Sequence, residues 1–147
     1  MTLVRLASLV GVAVLVLILN VAMVFVYMVV YGHLINPGHP NEYYQEHVKI
    51  AAPYCSIVAG MPLFFLAGLW VAGWWEGQGG VKAALVMWLA YTIIDLAVSL
   101  AMGLAAAMTP KLAVLVASSH LTKLAAVYLG ALVVVHNATK NAPLGNG

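Results

Sequence analysis

The sequence predicts an all-α membrane protein: an antiparallel four-transmembrane-helix bundle with a short helix in its outer loop. Three observations carry that prediction. The chain of 147 residues is 65% hydrophobic and 7% charged, with a mean hydropathy of +1.03, whereas a soluble domain averages about 25% charged residues. Four apolar runs, 3–31, 50–75, 83–108 and 110–136, each reach the length of about 20 residues that crosses a hydrocarbon layer. The segments between them hold the turn-forming residues. One run of this kind is too little for a domain, and four are enough for one bundle, so residues 1–147 are expected to form a single four-helix domain.

The first run starts just before Arg5 and continues far past the roughly 7–15 apolar residues of a signal-peptide core, so it reads as a retained helix. The first connection, 32–49, is the longest and contains most of the polar residues. Within it Asn36-Pro37-Gly38-His39-Pro40 is a turn signal. Asn41 is placed to cap a short amphipathic helix that leads through Glu42 and Glu46 into the second span. The second connection, 76–82, is glycine-rich. The third is only Met108-Thr109-Pro110, which demands a hairpin, and Pro110 suits a first helical turn because its missing N–H has no partner to lose. The tail, 137–147, with Pro143, Gly145 and Gly147, is expected to be flexible.

Arg5, Lys82 and Lys140 fall on the side of the termini, and Lys49 and Lys111 on the other. The excess of basic residues places both termini in the cytoplasm and the first loop outside. Trp70, Trp74, Trp75 and Trp88 gather near the terminal side, and Tyr31, Tyr43, Tyr44 and Tyr54 near the opposite one, as interfacial aromatic residues do. A net charge of +2 with six scattered basic residues gives no footprint for nucleic acid. The partner the composition does imply is the lipid bilayer. Gly68/Ala72, Gly103/Ala107 and Ala126/Gly130 are small pairs four apart that permit close helix approach, inside the bundle or in a homo-oligomer or larger membrane complex. The single cysteine, Cys55, reads as a small buried hydrophobe.

Two opposite charges interrupt the apolar runs. Asp95 lies fourteen residues before Thr109 and Lys123 fourteen after it. At a rise of about 1.5 Å per residue both sit roughly 21 Å from the hairpin turn, near the middle of the membrane. Charges there are costly and mark functional sites by default. Tyr91, Asp95 and Ser99 share one face of the third helix. Ser119, His120 and Lys123 share a face of the fourth. The same counting sets Ser99 opposite Ser119 and His120, Asp95 opposite Lys123, and Tyr91 near Tyr128. Asn20 brings a polar group to the same depth on the first helix, and Gly60-Met61-Pro62 a backbone irregularity on the second.

Two readings follow. In the first, Asp95 and Lys123, assisted by His120, Tyr91, Ser99, Ser119 and Asn20, bind or relay a small ligand or a proton, because a pair balanced between desolvation and mutual attraction can exchange a proton or hold a polar guest. In the second, the protein is a structural or accessory subunit of a membrane complex, and the ion pair only fixes helix register. A third reading, an interfacial haem or metal protein, uses the outer histidines. His33 and His47 flank the loop, and His39, Glu42, Glu46 and His47 are weak metal candidates with no tight ligand spacing. Nothing in the sequence names a reaction, a catalytic residue or a cofactor.

Overall fold

The computed structural model describes residues 2–75, 79–103 and 108–140. Its four helices are α1 (Leu3–Val30), α2 (Asn41–Ala72), α3 (Gly79–Ala101) and α4 (Pro110–Lys140), and a π-helical turn, Tyr31–Ile35, prolongs α1. Each of the four is long and apolar enough to cross a membrane. The described residues contain no strand. The expected four-helix bundle is therefore the fold.

Around the bundle the helices run α1, α2, α4, α3, and the most extensive interface joins α2 to α4. Helices that follow each other in the chain are antiparallel. The dominant pair is nevertheless parallel: Ser56, Gly60 and Gly68 of α2 meet Ser119, Lys123 and Val127 of α4 in that order. Glycine makes the approach possible. A Cβ on Gly68 would run into the Val127 carbonyl, and one on Gly130 into the Phe65 carbonyl. Such close backbone contact replaces the hydrophobic drive that lipid cannot supply between helices. The Gly68/Ala72 and Ala126/Gly130 pairs are buried inside the bundle. Ala107 of the third pair lies outside the described residues, and Gly103 has φ +85° in the turn that ends α3.

The boundaries differ from expectation in three places. The outer-loop helix and the second span form one helix from Asn41, since no breaker separates Glu46 from Ile50; Pro40, not Asn41, takes the N-cap position. The irregular part of the first connection is thereby cut to 36–40, where Gly38 has φ +86°. Asn36 ties this turn together: its Nδ2 donates to the Tyr31 and Tyr43 hydroxyls at 3.2 and 2.9 Å, and its backbone carbonyl accepts from Tyr44 at 2.8 Å. Next, α3 stops at Ala101, short of the expected 108, of which 104–107 lie outside the described residues. Finally, α4 continues through Lys140, so the first four residues of the expected flexible tail are helical; 141–147 lie outside the described residues.

The two halves of the bundle are packed differently. A continuous apolar core fills the half nearer the termini, built from Leu9, Val12 and Val16 of α1, Phe64 and Val71 of α2, Met87 of α3 and Val127 of α4, among others. The half nearer the 36–40 turn is open inside, and the site lies where the two meet.

Candidate functional site: a buried lysine beneath a one-ended cavity

Four helices each deliver a polar side chain to the mid-bundle plane. Lys123 is 1% exposed, Asn20 and Ser119 5%, and Tyr91 is fully buried. The Lys123 ammonium donates to the Ser56 hydroxyl at 2.6 Å and to the Tyr91 hydroxyl at 2.8 Å. Asn20 Nδ2 donates to the same two oxygens, at 2.9 and 3.4 Å. The Ser119 and Ser56 hydroxyls are 3.4 Å apart. The ammonium also lies 5.0 Å from the ring centroid of Tyr91 and 5.8 Å from that of Phe64, within reach of cation–π attraction. Phe64 meets Tyr91 edge to face at 4.6 Å and closes the apolar core beneath the cluster.

The lysine fits because Gly60 has no side chain. A Cβ there would lie 2.7 Å from Lys123 Cε and 3.5 Å from Asn20 Oδ1. On α2 the positions Ser56, Gly60, Phe64 and Gly68 are each four apart, so one face presents a hydroxyl, a gap for the lysine stem, a ring and a gap for the α4 backbone.

The expected Asp95–Lys123 contact is not the arrangement found. Among the described residues the side chain that faces Asp95 is His120, with Nε2 to Oδ2 at 3.5 Å. The count from Thr109 assumed that helix continues on both sides of a three-residue turn. Because α3 ends at Ala101, eight residues before Thr109, the register slips by about one turn: Tyr91, not Asp95, comes level with Lys123, and Asp95 comes level with His120. Tyr128 does not join Tyr91, since it is 43% exposed on the outside of the bundle. His120 is also held from behind, where Trp88 Nε1 donates to its carbonyl at 3.3 Å.

Above the cluster opens a cavity of about 460 Å³. Asn20, Ser56 and Ser119 form its floor, and Asp95, Ser99 and His120 one side. Most of the remaining wall is aliphatic, and Lys49 stands at the rim, paired with Glu46 at 2.6 Å. Lys123 is not part of this wall; it lies behind Ser56 and Tyr91. Thus Asn20, Ser119, Tyr91 and Lys123 are gathered into one hydrogen-bonded cluster, Asp95 and His120 into an adjacent pair, and Ser99 into the cavity lining. Ser56 was not anticipated, although it is the hub. The four-residue spacing from Ser56 to Gly60 and Phe64 is the signal the sequence holds for it, on a different face of α2 from Pro62. Pro62 is exposed, as is Val58, whose carbonyl that proline frees.

The histidines of the first connection do other work. His47 stacks on Tyr31 with centroids 3.9 Å apart and lies 3.1 Å from the Tyr27 hydroxyl. His39 stacks on Tyr43 and contacts Asn36 Oδ1 at 3.1 Å, and His33 Nδ1 contacts its own helix at the Val29 carbonyl. Glu46 is taken by Lys49. Among the described residues no three His, Cys, Asp or Glu side chains come together as a metal site, so His39, Glu42, Glu46 and His47 do not form the cluster considered from sequence.

The chain matches no family model, and neither curated proteins nor solved structures give a match.

Proposed function

We propose that this is a membrane-embedded binding protein whose polar cluster, at the closed end of a one-ended cavity, holds a small ligand or a proton. The observation that supports it most is the pairing of an open, partly polar half with a sealed apolar half around a buried lysine. A passage through the monomer would have to cross the core formed by Leu9, Val12, Phe64, Val71, Met87 and Val127. The geometry thus favours capture and release at one end over conduction.

Buried polar atoms also await partners. Asn20 Oδ1 and His120 Nδ1 have none among the described residues, and such atoms in native proteins are generally satisfied by water or ligand. The competing reading, an accessory subunit whose polar groups only set register, draws on one observation: Lys123 of α4 bonds α2 and α3 at once, which ties three helices at a single level.

Thermal-shift screening of the purified protein against small polar and lipid-soluble compounds separates the two. Ligands are expected that raise the unfolding midpoint of the wild type and not of the Asp95→Asn/Lys123→Met double variant. Equal shifts in both proteins for every compound would count against the binding site.

A further inference from the structure

Resting on that reading, we infer that the cavity takes a neutral, lipid-soluble molecule whose head donates a hydrogen bond, of the alcohol class, with the head on Asp95 where the cavity wall meets its floor.

An acceptor count at Asp95 gives the head-group chemistry. The carboxylate lines the cavity, and its side chain keeps 26% exposure. His120 directly follows Ser119 in α4 and comes level with Asp95, so the carboxylate opens beside the Ser56/Ser119 floor. An ionised carboxyl group only accepts, through two oxygens with about four lone-pair sites. His120 Nε2, 3.5 Å from Oδ2, can fill at most one of them. Ser99, one turn along α3 on the same side of the cavity, can fill at most one more. About two sites then stay open, whichever tautomer His120 adopts. The floor has nothing to send them. Its donors are committed to one another: Lys123 and Asn20 to Ser56 and Tyr91, and Ser119 to Ser56. The wall therefore asks for a donor on the guest.

Charge decides which kind of donor. Charges at mid-membrane are costly, and the formal charges of Asp95 and Lys123 already cancel. Lys123 supplies that compensation from behind Ser56 and Tyr91, where at 1% exposure it does not meet a guest. An ammonium head would satisfy Asp95 but leave this plane with a net positive charge. An anionic head would face the carboxylate, and Lys49 at the rim is already paired with Glu46. An ether or ketone head has only lone pairs to set against those of Asp95. A hydroxyl donates to the carboxylate and adds no charge.

The walls fit an apolar body. Leu17, Val21, Val24, Ala52, Val98 and Val116 line the cavity, whose volume of about 460 Å³ lies within the usual range for small-molecule sites of about 300–1,000 Å³. From Ser56 to Lys49 at the rim is seven residues of helix, or roughly 10 Å, which sets the length of tail the cavity encloses.

The test is a titration of the detergent-purified full chain with four probes that share an octyl tail: 1-octanol, octyl methyl ether, octylamine and octanoate. Binding is read as a concentration-dependent rise in the unfolding midpoint. Saturable binding of octanol is expected, tighter than either charged probe. It should exceed that of the ether by about tenfold or more, the worth of a hydrogen bond to a charged group. Val116→Phe, which narrows the cavity without touching the polar cluster, should weaken octanol binding about tenfold as well. Asp95→Asn should cut the octanol-over-ether preference to about threefold or less, because the amide keeps an acceptor without its charge and adds a donor that the ether can use. Partition into detergent is the same for each protein and drops out of that comparison. A preference unchanged in Asp95→Asn overturns the alcohol-head assignment and leaves the binding site standing. So does tighter binding of the ether, octylamine or octanoate that Val116→Phe removes. Equal, non-saturating uptake of all four probes by the wild type and both variants overturns the assignment and the binding site together.

Discussion

Gly130→Leu is expected to abolish the native bundle, or to lower its stability by more than the about 1–3 kcal/mol of ordinary overpacking. The new side chain must begin at a Cβ already overlapping the Phe65 carbonyl, with Leu69 N 3.1 Å away. A flexible neighbour could rotate aside, but backbone of a continuous helix cannot. The two helices must separate, and their separation opens the interface that also holds Ser56 against Lys123. Gly68→Leu, at the Val127 carbonyl, should behave alike. Gly11→Leu, on the exposed face of α1 with nothing within 4 Å of its Cβ position, is the control and should be nearly silent. Thermal unfolding and size-exclusion profiles in detergent check all three.

The second large effect is functional. Lys123→Met keeps an unbranched stem over Gly60 and deletes the ammonium. It loses hydrogen bonds from a charged donor to Ser56 and Tyr91, each worth about 1.5–3 kcal/mol net. It also removes a charge whose insertion costs about 2.5–3.5 kcal/mol. These terms offset in large part, so the fold should survive with a modestly lowered midpoint. Lys123→Ala, in contrast, leaves a void, and truncation of a large buried side chain costs about 2–5 kcal/mol. Ligand binding should fall at least tenfold in both variants. Unfolding titrations of the pair, read beside the ligand-induced shift, check this. A Lys123→Met protein that loses more than about 3 kcal/mol would instead assign the lysine to helix register.

Much of this molecule is legible in its sequence. Four apolar runs of sufficient length permit few alternatives to four spans, because lipid forces backbone groups to bond within each segment. Gly68, Ala126 and Gly130 mark close packing because only small side chains let helix backbones touch. The polar residues of the site could be listed because a buried Asp or Lys in an apolar run is conspicuous. Their pairing could not be derived, since it depends on where helices end. The eight-residue interval between Ala101 and Thr109 shifts every partner by about one turn, and a hydropathy pattern does not record it. Ser56 was missed for a related reason. A lone serine in a helix is unremarkable until the parallel α2–α4 packing, which chain order alone does not reveal, brings it against Lys123. The aromatic turn was only half visible: Asn36-Pro37-Gly38 announces a bend, but the stacking of His47 on Tyr31 requires α2 to begin at Asn41.

The most direct single measurement is an experimental density map at side-chain resolution of the protein extracted in its native lipid. A one-ended cavity is expected, with density for a guest or ordered water in contact with the Ser56 and Ser119 hydroxyls, Lys123 bonded to Ser56 and Tyr91, and Asp95 beside His120. A collapsed, dry interior with Lys123 bonded directly to Asp95 would contradict the binding site and leave a register-fixing ion pair in its place.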